Sequence, residues 1–268
     1  MKIYEIRNYQ DKSIPVQAYL FYFSESAIFR IELLDQANPW DLPASLFPYA
    51  RKGITTLNSM HSHMVISDRI IPRDRQNIGM ILKEHKMETY DEYAMLMLAK
   101  GRCAQDEFEL KETSLEDLPE SLQKRLNHRL KDFVIEEDRT ILAFFYDGTT
   151  KRCDLRNLTE DNYALKPVLL HDELFQKAEV LPGGCGLWFQ TSAEILYTEL
   201  YDSGEAVPVS YETFKRFIKD RTVPTVKAAE LLDTSRQNIS AMVKTGKLVP
   251  QTESEKNMTF LKAELIEQ

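Results

Sequence analysis

The chain has 268 residues, 43% hydrophobic and 28% charged, with a net charge of −8; this is the make-up of a soluble globular protein with room for two or three domains. The opening MKIYEIRNYQDKSIPV has no basic head leading into an apolar run, so no secretory signal is expected, and AYLFYF (18–23) and ILAFFY (141–146) are far shorter than the roughly 20 residues of a membrane-crossing helix. Cys103, Cys153 and Cys185 stand far apart in no paired spacing, which fits reduced thiols in a cytoplasmic protein, with no metal and no cofactor expected.

Residues 1–112 read as an α+β domain for sensing or for holding a partner. VQAYLFYF and AIFRIELL are β-rich runs separated by Ser-Glu-Ser, the pattern of a hairpin. Between Arg73 and Lys100 the spacing predicts two helices, one carrying Ile78, Ile81 and Leu82, the other Tyr93, Leu96 and Met97. Residues 113–137 are polar and helix-forming, and are expected to be a helical linker. Residues 138–205 then read as a small antiparallel α+β domain. Asp147-Gly148 between two strand-like runs predicts a two-residue primed turn with positive φ at both positions.

The third segment, 209–268, carries the motif. YETFKRFIKDR places Tyr211, Phe214, Phe217 and Ile218 on one face of a helix. Thr225 then reads as an N-cap for a helix whose Ala228, Ala229 and Leu232 turn inward. Asp233-Thr234 make a tight turn, and Ser235 caps a second helix with Ile239, Met242 and Val243 on its apolar side. Gly246 supplies a left-handed stop. Two helices that cross closely need small residues at the crossing, here the alanines. The second helix leaves Gln237, Ser240, Ala241 and Lys244 pointing away from its apolar stripe, a polar ridge suited to a major groove. The segment from Lys215 to Lys262 holds ten Lys/Arg against five Asp/Glu, a net +5, which leaves −13 on the rest of the chain. An acidic body with a basic tail can meet DNA through the tail.

The string AAELLDTSRQNIS (228–240) resembles the helix-turn-helix of bacterial repressors and excisionase-like proteins, with Asp233 where those proteins usually have Gly. The C-terminal unit is expected to be an all-α helix-turn-helix, with GKLVPQTESEKNMTFLKAELIEQ (246–268) reading as a basic, polar hairpin that runs into a short C-terminal helix, a layout that in the excisionase-like group is a wing. Tyr146-Asp147-Gly148, Asp154-Leu155, Leu170, Phe175, Gly183-Gly184, Trp188, Ala193-Glu194-Ile195 and Leu200-Tyr201 resemble a bacterial family known as domain of unknown function twenty-four forty-two. That family sometimes precedes a helix-turn-helix, and the likeness implies no catalytic residues. Arg69, Pro72, Arg75, Asp91, Gly101 and Asp106 resemble a segment found ahead of HipA-type kinase toxins, which implies a toxin–antitoxin or phage-related setting.

The expected fold class is therefore α+β with a C-terminal helix-turn-helix. The expected function is a sequence-specific transcriptional regulator, a repressor or autoregulator, that binds double-stranded DNA as a homodimer. Its contacts are expected from Thr225, Ser235, Arg236, Gln237, Asn238, Ser240, Lys244 and Lys247. The alternative is an antitoxin-like or adaptor protein whose front domains hold a protein partner. An enzyme is not expected. The glycines of LPGGCG lack the Lys-Ser/Thr of a phosphate loop, and His61 and His63 stand without a metal-ligand pattern.

Overall fold

The run AYLFYF forms a strand that is covered on both faces, and the first part of the fold is built around it. In the computed structural model, which describes residues 1–159, 162–252, 258–262 and 265, β1 (Lys2–Asn8), β2 (Ala18–Phe23), β3 (Ile28–Leu33) and β4 (Phe108–Thr113) make an antiparallel sheet ordered β3-β2-β1-β4. Ala18 pairs with Leu33 and Phe23 with Ile28, so the Ser-Glu-Ser hairpin is present. Because successive side chains alternate, Leu20 and Tyr22 enter one core while Tyr19, Phe21 and Phe23 enter another. The helices α1 (Phe47–Arg51), α2 (Ser59–Ser67), α3 (Ile78–Glu84) and α4 (Glu92–Leu98) lie between β3 and β4 in the chain. Val65 of α2 and Leu96 of α4 are buried in the first core.

The second core corrects one expectation. Residues 113–137 are not a helical linker: they hold α5 (Glu120–Leu126) and then β5 (Leu130–Ile135). Leu122 and Leu126 of α5 lie four apart on one helical face, and with Leu118 just ahead of the helix they are buried beside Tyr19, Phe21 and Phe23.

β5 continues into β6 (Thr140–Phe145) and β7 (Thr150–Asp154), then α6 (Leu165–Leu170), α7 (Asp172–Phe175), β8 (Glu179–Val180), β9 (Gly186–Trp188), β10 (Glu194–Leu196), α8 (Tyr197–Ser203) and β11 (Glu205–Ala206). Two antiparallel sheets result, β11-β7-β6-β5 and β10-β9-β8, around Leu130, Phe145, Leu187, Ile195 and Leu200.

The β6–β7 connection differs from the expected primed turn. Gly148 has φ +86, but Asp147 is not left-handed. Gly148 N–H donates to Phe145 O at 3.1 Å, and Phe145 N–H to Thr149 O at 3.0 Å, giving a three-residue loop that ends on a left-handed glycine. A Cβ at Gly148 would meet nothing within 4 Å, so only the backbone opposes a side chain there. Gly148→Val is expected to destabilise by at least ~1 kcal/mol, read as a lower unfolding midpoint; an unchanged midpoint would show that the loop does not need the left-handed residue.

Residues 1–206 form one compact unit and 207–268 a second. The two segments expected as domains 1–112 and 138–205 are joined inside the first unit by buried polar contacts. Glu32 of β3 accepts from Arg125 of α5 at 3.1 Å, Thr56 at 2.8 Å and Tyr197 of α8 at 3.2 Å. Burial pushes the Glu32 carboxyl up, against the pull of Arg125 and the two hydroxyls. Arg30, 1% exposed, lies 2.9 Å from Glu194 of β10, and Glu194 also accepts from Ser59 N–H at 3.0 Å and from the Ser59 hydroxyl.

The second unit holds α9 (Tyr211–Arg221), β12 (Thr222–Pro224), α10 (Thr225–Leu231), α11 (Arg236–Lys244) and β13 (Thr259–Leu261). It is not all-α: Thr222 pairs with Leu261, Val223 with Phe260 and Pro224 with Thr259. Val223 and Phe260 are buried with Ala228, Ala229, Ile239 and Leu248, so the ribbon closes a core that two short helices are too small to bury alone. The whole is mixed α+β with antiparallel sheets. No described helix is long and apolar enough to cross a membrane.

Candidate nucleic-acid interface

In α10 the small residues do what the sequence demands. Ala228 and Ala229 are 0% and 6% exposed and share a core with Ile239 of α11. The chain turns at Leu232–Ser235, with Asp233 at φ +46. A short polar side chain tolerates this left-handed position, so the turn forms with Asp at 233. Thr234 N–H donates to Ala229 O at 2.9 Å and holds the turn against α10.

Ser235 caps α11: its hydroxyl accepts from Asn238 N–H at 3.2 Å, meeting one of the donors a helix start leaves open. Behind it Ile239 is fully buried, and Met242 and Val243 pack on the same core. The opposite side of α11 is open, with Arg236, Gln237, Ala241 and Lys244 all exposed. Gly246, at φ +72, ends the helix, and Lys247 is exposed just beyond it. Thus Arg236, Gln237 and Lys244 stand free of the core on one short helix of 9 residues.

Three expected contact residues also make bonds within this unit. Thr225 is not an N-cap. The cap position is Pro224, which makes no side-chain bond, and the Thr225 hydroxyl donates to Met258 O at 3.3 Å, tying α10 to the segment leading into β13. Asn238 gives its amide N–H to Thr234 at 2.8 Å, so part of its donor capacity serves the turn. Ser240 is half-buried and donates back to Arg236 O at 3.2 Å, a bond within the helix.

A wing was expected from residues 246–268. Gln251 N–H donates to Thr259 O at 2.8 Å, so the chain doubles back there, and β13 also pairs with β12, the strand before α10. Residues 253–257, which the expected hairpin includes, and most of the short helix expected at the C-terminus lie outside the described residues.

The expected contacts did not include α9, although the sequence marks it as an amphipathic helix. No residue of α9 is buried; Phe217 and Ile218 are 53% and 45% exposed. Arg216, Lys219 and Arg221 are exposed on the same helix, which runs without a break into β12.

No protein-family model, no curated protein and no solved structure matches the chain.

The other constellations weighed from the sequence have local roles. His63 Nε2 lies 2.9 Å from the Glu92 carboxylate, and the His61 ring packs 5.5 Å from Tyr49. Among the described residues no three His, Cys, Asp or Glu side chains gather as a metal site. Burial pushes the Cys153 and Cys185 thiols up to about 12, far from the thiolate a nucleophile needs.

Proposed function

We propose that residues 207–268 are a helix-turn-helix that reads double-stranded DNA, and that the protein is a sequence-specific transcriptional regulator. The observation that carries the reading is the two-sidedness of α11: Ile239 is fully buried while Arg236, Gln237 and Lys244 are exposed on a helix whose start is capped by Ser235. A helix held by its apolar stripe and offering an amide flanked by cations has the chemistry a major groove accepts. The segment's net +5 against the body's −13 directs the same part of the chain toward phosphates.

Homodimer formation belongs to this reading. One recognition helix reads too few base pairs for useful discrimination, and two-fold pairing doubles the site. The exposed Phe217 and Ile218 of α9 offer an apolar contact for such a pairing. Repression or autoregulation is the proposed outcome of binding.

The fragment 207–268 tests the reading. It is expected to fold alone, since it has its own core and caps, and to retrieve a shared sequence from a random duplex library. A helical fragment that retrieves no shared sequence would instead favour the adaptor role for the protein.

A further inference from the structure

A second candidate site lies in residues 1–206, where α2 faces the three-stranded sheet β10-β9-β8 across a cleft of about 790 Å³. That volume is in the range that takes a drug-sized ligand. On one side α2 buries Ser62, Val65 and Ile66. Met60, His63 and Met64, spaced along the other side of the helix, line the cleft, and the two methionines are 61% and 58% exposed. Exposed, unbranched thioethers make an adaptable apolar wall.

The opposite wall is a row of three side chains set by register. Trp188 of β9 pairs with Glu179 of β8 on one side and with Glu194 of β10 on the other. Directly paired residues share a sheet face, so the indole stands between two carboxylates. Its Nε1–H donates to Thr191 O at 2.8 Å, which fixes the ring. The two carboxylates differ. Glu194 is committed to Arg30 and Ser59. Glu179 accepts from the neutral amide of Gln190 at 2.9 Å and has no ion pair among the described residues. No Lys or Arg lines the cleft among the described residues, and His63 is turned to Glu92.

An aromatic face beside an uncompensated carboxylate is the arrangement that stabilises a desolvated cation. We infer that this cleft binds a small apolar molecule carrying one positive charge, its body against Met60, Met64 and Val180 and its cationic centre between Trp188 and Glu179. The inference is independent of the DNA reading, because the residues and the test belong to another part of the chain.

Tetraphenylphosphonium and tetraphenylborate are matched in shape and opposite in charge, and serve as probes. The full chain carrying Trp40→Phe leaves Trp188 as the sole indole, so its emission reports the site. Saturable quenching by tetraphenylphosphonium is expected, with tetraphenylborate at least about tenfold weaker. Glu179→Gln, an exposed and near-isosteric change, is expected to weaken tetraphenylphosphonium by about fivefold or more, with an unchanged circular dichroism spectrum. Met64→Arg should abolish its binding. Equal affinity for the two ions, affinity unmoved by Glu179→Gln, or no saturable quenching by the cation would each overturn the inference.

Discussion

Replacing Glu194 by alanine is expected to lower the unfolding free energy of residues 1–206 by roughly 3–5 kcal/mol, because it strands a buried charge. Arg30 is 1% exposed and cannot reach water without opening the sheet, and the Glu194 side chain, 13% exposed, is the carboxylate it pairs with at 2.9 Å. The same carboxylate accepts from Ser59 N–H at the start of α2, so the substitution also opens a helix start. For a unit of this size the loss corresponds to a melting midpoint lower by on the order of 10 °C. The double replacement Arg30→Met with Glu194→Gln removes both charges together, and is expected to recover most of the loss, since a buried pair stabilises little beyond its apolar equivalent. A midpoint for Glu194→Ala within about 1 °C of the parent would show that Arg30 is solvated in solution, and that β3 and β10 are not held together by this pair.

That pair marks the limit of what the sequence made legible. Features set by neighbours in the chain were readable: the β2–β3 hairpin, the helices α3 and α4, the Ser235 cap and the Gly246 stop each depend on residues within about one turn or one hairpin. Arg30 with Glu194, and Glu32 with Tyr197, join residues 164 and 165 positions apart, and nothing local distinguishes these arginine and glutamate positions from solvated charges. The row Glu179–Trp188–Glu194 is likewise created by strand register.

Two misreadings at the candidate interface have the same origin. Thr225 has the right chemistry and place for a cap, yet Pro224 fixes the entry and the hydroxyl is taken by Met258 O, a residue beyond the second helix. The short runs Thr222–Pro224 and Thr259–Leu261 are too brief to show a strand period, and become a ribbon because Val223 and Phe260 complete the core under the helices. In α11 the sequence was more informative: the helical period alone separates Ile239 from Gln237 and Lys244, and the exposures follow that separation.

The most direct measurement of the DNA reading separates base recognition from charge within α11. Gln237 is exposed in the first turn, where an amide can bond both acceptor and donor on the edge of an adenine; Lys244 ends the helix two turns later, where a phosphate is the natural partner. The full chain, Gln237→Ala and Lys244→Ala are titrated against a duplex selected from a random library and a scrambled one, at several salt concentrations. Gln237→Ala is expected to cost roughly 1–3 kcal/mol on the selected duplex and to relax the preference at one base pair. Lys244→Ala is expected to weaken both duplexes about equally and to reduce the salt slope by about one, with Arg236→Ala behaving similarly. If the variants bind both duplexes as the parent does, α11 is not in the groove, and a partner-binding role replaces the regulator.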